Sequence, residues 1–183
     1  MRPIFTVHAG EYLVGCYVEK KMRGVDVWVP TKDTGVDLLL TNSKSRKMAS
    51  LQVKFSKSFL ETSIPKSCRK GLKSCGWWTL NRDKLKNSEA DFWVLALYGF
   101  GIKQQDFIVI RPRELYERLI KLRGNVKSMN LYLWLTEKKQ CWETRGLNKK
   151  EYEKIPKGIF ESTERDFTEF LESWQPIEDR LGK

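Results

Sequence analysis

Three polar residues set in short apolar stretches, Asp37, Gln52 and Lys54, are of types that can do phosphate chemistry. In Gly35-Val36-Asp37-Leu38-Leu39-Leu40 an acid opens an apolar run, and in Leu51-Gln52-Val53-Lys54-Phe55 two polar residues alternate with three apolar ones. Strand side chains alternate with period two, so Gln52 and Lys54 share one face while Leu51, Val53 and Phe55 share the other. An acid, an amide oxygen and an amine converging at a sheet edge can hold a hard metal ion and a water beside a phosphate. The expected chemistry is metal-assisted hydrolysis of a phosphodiester.

The elements that must position these residues follow from periodicity. Residues 9–23 read as a helix, with Glu11, Val14, Val18 and Met22 on one stripe and Gly24 as its stop. A strand is expected at 25–29, ended by Pro30, then a turn at 32–35. The strands of Asp37 and Lys54 follow, joined by a polar turn at 42–46. Residues 92–98 and 107–110 are continuous apolar runs of the kind buried on both faces of a sheet, with a loop at 99–105 between them. Pro112, the spacing of Leu115, Leu119 and Leu122, and Gly124 predict a helix over 113–123. A hairpin is expected from 131–135 and 141–144 about a turn at 137–140. Thr163 is placed to cap a last helix presenting Phe167, Phe170, Leu171 and Trp174. The 183 residues suit one domain, and the fold class is α/β or α+β, a mixed central β-sheet flanked by helices.

Composition narrows the function classes. Hydrophobic residues at 40% and charged residues at 31% describe a soluble globular chain rather than a disordered one. The apolar run at 92–98 falls far short of the roughly 20 residues that span a bilayer, so no membrane segment is expected. Residues 1–5 lack the apolar core of a secretory signal, so a cytoplasmic, intracellular protein with reduced cysteines is expected. Cys16, Cys68, Cys75 and Cys141 contain no C-x-x-C pair and His8 is the sole histidine, which argues against zinc and against a cysteine nucleophile. Gly99-Phe100-Gly101 lacks the third glycine of a dinucleotide fingerprint and no P-loop is present, so no nucleotide cofactor is expected.

The net charge of +11 is concentrated. From Lys44 to Lys86 there are twelve Lys and Arg residues, Lys44, Arg46, Lys54 and Lys57 among them, against two acids, Glu61 and Asp83. That stretch contains the Lys54 strand, and a polyanion is its natural partner. Ser56, Lys57, Lys44 and Arg46 are the expected contacts to a nucleic-acid backbone. Trp77 and Trp78 can stack on unpaired bases, although tandem aromatics leading into a strand are more often core.

A helix bearing an inward Glu11, a strand, Gly35-Val36-Asp37, a polar turn and Gln52-Val53-Lys54 together resemble the PD-(D/E)xK nuclease superfamily, which includes restriction endonucleases and Holliday junction resolvases. The likeness covers about the first 55 residues. It implies a restriction-endonuclease-like fold and matches Asp37 to the first metal-binding acid, Gln52 to the second metal position, Lys54 to the catalytic lysine and Glu11 to the helix acid. Val36 replaces the proline of the pattern. Gln52 replaces the usual second acid, removing one negative charge from the metal site, which Glu11 can restore. The resemblance implies a metal-dependent DNA endonuclease with Mg²⁺, or Mn²⁺ in its place, held by Asp37, Gln52, Glu11 and the carbonyl of Val53. Duplex or branched DNA is the expected substrate, and a homodimer suits cleavage of two strands. The alternative is a nucleic-acid-binding module that keeps the fold and has lost catalysis through Gln52. An RNA substrate would use the same residues.

Overall fold

The computed structural model describes residues 8–32, 34–99 and 104–183. The expected leaderless N-terminus at 1–5, the middle of the 32–35 turn, and the 99–105 loop with Gly99-Phe100-Gly101 lie wholly or partly outside those residues.

Two sheets organise the α+β chain. Helix α1 (Ala9–Lys21) leads into β1 (Val25–Trp28), β2 (Leu38–Asn42) and β3 (Lys47–Lys57), an antiparallel meander. The chain then leaves this sheet. Two short helices, α2 (Leu60–Ser63) and α3 (Lys66–Arg69), are followed by β4 (Leu72–Asn81) and α4 (Arg82–Lys86) before β5 (Phe92–Gly99) returns parallel to β3. Strand β6 (Gln104–Ile110) adds antiparallel, completing a sheet of order β1-β2-β3-β5-β6. Helix α5 (Pro112–Arg123) precedes β7 (Ser128–Thr136) and β8 (Cys141–Glu143), which join β4 in a second, antiparallel sheet of order β4-β7-β8. Helices α6 (Lys149–Lys154) and α7 (Gln175–Arg180) complete the regular elements.

The five-stranded sheet is buried on both faces because β5 is apolar at every position from Phe92 to Leu97. Phe92, Val94 and Ala96 meet α1 and α7 through Val14, Val18 and Ile177. Trp93, Leu95 and Leu97 meet Trp78, Leu80, Leu131 and Leu133 of the second sheet, with Leu115 and Leu119 of α5. Helices were expected to flank the central sheet, yet one of its faces is covered largely by a second sheet. The alternation in β4, with Trp78 and Leu80 inward and Trp77, Thr79 and Asn81 outward, is what allows β4 to serve as that cover.

The predicted C-terminal helix from Thr163 does not form. Residues 163–165 and 168–170 are single 3₁₀ turns, and the α-helix begins only at Gln175. Backbone groups that a helix would use are spent on the sheets instead. The Phe167 N–H donates to the Cys141 carbonyl and the Glu172 N–H to that of Phe107, both at 2.8 Å. Phe167 and Phe170 still reach the core, but from a strap of short turns bridged to the sheets at Asp166 and Leu171. The other expected elements form within one or two residues at most ends, although β7 begins at Ser128 and β6 at Gln104, earlier than read. Among the described residues no helix is long and apolar enough to cross a membrane.

Candidate functional site

Asp37 stands immediately before β2, one position beyond the pairing of Leu38 with Leu51. Strand β3 outruns β2 there, so in the ladder its edge from Gln52 onward is paired to β5 alone. Asp37 fills the missing strand's role. Its N–H donates to the Leu51 carbonyl at 2.8 Å, and its Oδ2 accepts the Val53 N–H at 2.7 Å. The same Oδ2 accepts the Gln52 side-chain amide. A strand residue sends its N–H and C=O to the same side, so the Val53 carbonyl lies along the edge occupied by Asp37. The sequence pattern placed Asp37, Gln52 and Val53 correctly as neighbours.

Gln52 and Lys54 both line an open cleft of about 890 Å³ between the two sheets. Its far wall is Thr79, Leu80 and Asn81 of β4, Asp83 and Lys84 of α4, and the 87–89 loop. Trp93 forms part of the floor, and the Lys54 Nζ lies 5.6 Å from its ring centroid, a cation–π distance. The Lys54 carbonyl accepts the Trp78 indole N–H at 3.0 Å, which ties the backbone at this lysine to the second sheet. Of these wall residues the sequence marked only Asp83 and Lys84, as members of the charged stretch; the Asn81 side chain caps α4 by accepting from the Asp83 and Lys84 N–H groups.

Glu11 approaches from the other face of the sheet. Helix α1 packs against β3 so closely that a Cβ on Gly10 would lie 3.0 Å from Val53 Cγ1 and Phe55 Cβ. The Glu11 carboxylate pairs with His8 Nδ1 at 2.7 Å. That contact pushes the His8 pKa up, and the charge of Asp37 adds to the effect. Among the described residues no three His, Cys, Asp or Glu side chains converge on a common point.

The expected phosphate contacts separate. Lys57 is exposed at the end of β3. Ser56 is buried, its hydroxyl accepting the Trp77 N–H and donating to the Lys57 carbonyl, both at 3.0 Å. It joins β3 to β4 rather than reaching solvent. Lys44 and Arg46 sit in the β2–β3 turn, at the opposite end of β3 and about 25 Å along the strand from Lys54. The tandem tryptophans also part: Trp78 is core, and Trp77 is 44% exposed. Cys68, Cys75 and Cys141 are buried free thiols, with burial pushing the Cys75 and Cys141 pKa values up, so they are inert packing groups.

No family model and no curated protein matches this chain. A solved structure titled as the crystal structure of MepB aligns with 84% of this chain and 96% of its own, at 12% identity and a TM-score of 0.35. A likeness at that score carries no argument about fold or activity.

Proposed function

We propose that the protein is a metal-dependent endonuclease that hydrolyses DNA phosphodiesters in the cleft between its two sheets. The observation carrying this reading is the placement of Asp37 against Gln52 and Val53 where β3 runs beyond β2, with Gln52 and Lys54, two residues apart on one strand face, lining the cleft. The donors available are a carboxylate, a side-chain amide oxygen and a backbone carbonyl, with the Glu11 carboxylate on the adjoining helix. All are hard oxygens, which fits Mg²⁺ or Mn²⁺. When bound, such an ion supplies a nucleophilic water and polarises the phosphoryl oxygens.

The chain's own residues do the rest. Asp37 is oriented by the Val53 N–H, so its carboxylate is fixed before any ligand arrives. Gln52 would hold such an ion through its side-chain oxygen once turned about its terminal torsion, which is soft. Lys54, held above Trp93, donates to a non-bridging phosphate oxygen and balances the charge that builds during attack. Thr79, Asn81 and Lys84 on the opposite wall offer donors to the flanking phosphates.

The test is cleavage of supercoiled, linear duplex, single-stranded and four-way-junction DNA with Mg²⁺, Mn²⁺ or EDTA. Cutting is expected to require metal and to fall by about 100-fold or more in Lys54→Ala and Asp37→Asn, while DNA affinity changes little. Asparagine retains an oxygen for the Val53 N–H, so a folded variant is compared. One observation favours a second reading: the Gln52 amide already occupies the Asp37 oxygen that a metal would take. A binding module without catalysis would bind DNA equally in EDTA and cut none of these substrates.

A further inference from the structure

The outer face of the second sheet carries an aromatic concavity of about 660 Å³, within the range of ligand pockets. Phe59, Trp77, Tyr132, Trp134 and Tyr152 line it. Trp77 and Tyr132 face each other across β4 and β7 with centroids 5.5 Å apart and planes only 11° from parallel. Phe59 leans on Trp77 from the side, at 6.1 Å and 53°. The indole is thus held in place yet remains 44% exposed. An oriented aromatic plane open to solvent is a stacking platform rather than core.

Charge around the platform points to an anionic occupant. The Arg145 guanidinium lies 5.6 Å from the Tyr132 ring, and Lys149 stands on the rim with Glu153 as its acidic neighbour. Lys57 is exposed beside Ser56, whose hydroxyl accepts the Trp77 N–H. The platform also continues into the candidate cleft. Trp77 and Thr79 lie on the same face of β4, about 7 Å apart, and Thr79 and Asn81 already form the cleft wall.

We propose that this face binds single-stranded DNA, with an unpaired base stacked on Trp77 and the adjoining phosphates met by Lys57, Arg145 and Lys149. Resting on the nuclease reading, this assigns the substrate class: DNA whose strand is unpaired next to the phosphate held in the cleft. Stacking suits any base because every base offers a π-face, so the preference is for strandedness rather than sequence.

Anisotropy titrations in EDTA of labelled oligothymidine, the same oligomer with abasic sites, and a duplex of equal length separate binding from cutting. Trp77→Ala and Trp77→Leu, the second keeping apolar bulk without a π-face, are expected to weaken oligothymidine binding by about 5- to 100-fold. Trp77→Phe should retain it, and neither the abasic oligomer nor the duplex should distinguish the folded variants. Unchanged oligothymidine affinity in both variants overturns this inference, and Mg²⁺-dependent cutting in the same preparations leaves the nuclease reading standing. Equal losses on all three ligands also overturn it, since stacking would not be the cause. So does a concentration-dependent dimer that Trp77→Ala dissolves, because a second copy would then cover the face. Absence of binding to any DNA by the folded wild type removes both readings together.

Discussion

At the scale of single residues, the departure from an acidic pair at Gln52 shapes the candidate site. Its side-chain amide and the Val53 N–H converge on one oxygen of Asp37, so two N–H donors hold that oxygen in place. Gln52→Glu replaces a donor with a second negative charge. Without metal the two carboxylates repel, and the variant is expected to lose about 1–3 kcal/mol of stability. Mg²⁺ should then raise its melting temperature more than that of the wild type, since binding to the native state adds stability. Melts with and without Mg²⁺ read this out, and identical responses would argue against a cation at this edge. His8 gives a second test. It is the only histidine, so its imidazole can be followed by NMR without overlap. The Glu11 contact raises its pKa, and the protonated form therefore favours the fold. That contribution is complete below the ordinary imidazole value and is lost as pH rises through the raised one. The titration midpoint should lie above the ordinary value and fall back toward it in Glu11→Gln. An unmoved midpoint would remove the pairing.

At the scale of elements, β4 governs both sheets. Its inward residues complete the core beneath β5, and its outward residues form one wall of the cleft and the floor of the aromatic concavity. Gly76 makes the arrangement possible. A Cβ there would sit 2.3 Å from Trp78 Cη2 and 3.1 Å from Leu97 Cδ1, so the Trp78 ring folds back over a position where no side chain can stand. Gly76→Ala must push that ring away, and Trp78 is the residue whose indole N–H holds the Lys54 carbonyl. Urea unfolding is expected to show a loss of about 1–3 kcal/mol, typical of overpacking. Full stability in this variant would mean that the ring has another place to go. The basic stretch from Lys44 to Lys86 read as a charge cluster, and the strand inside it was legible only as a pair of tryptophans. Alternating burial along β4 explains why: Trp77, Thr79 and Asn81 look outward, so its second half resembles a surface in composition.

At the scale of the whole molecule, charge that is contiguous in sequence is dispersed in space. Lys44 and Arg46 end at the far turn, Lys73 pairs with buried Asp106, and Lys84 and Lys57 mark the cleft and the end of β3. Another set of cations serves the fold: Arg123 and Arg165 meet Glu143, a fully buried acid. Burial pushes the Glu143 pKa up while both guanidinium groups pull it down. The two sheets and the open cleft between them, rather than net charge, determine which cations can reach a polyanion together. Local pattern alone determined the α1 stripe, the β2–β3 hairpin, the buried β5–β6 pair and α5, because each is written in apolar spacing and turn residues within one short segment. It also determined that Asp37 adjoins Gln52, since a hairpin's register follows from its turn. Three features were decided only by tertiary structure: that β4 leaves the central sheet, that residues 163–171 form a strap rather than a helix, and that Trp77 and Trp78 face opposite ways. In each, backbone hydrogen bonds or ring packing are supplied by partners far along the chain, and no local propensity records a partner's location.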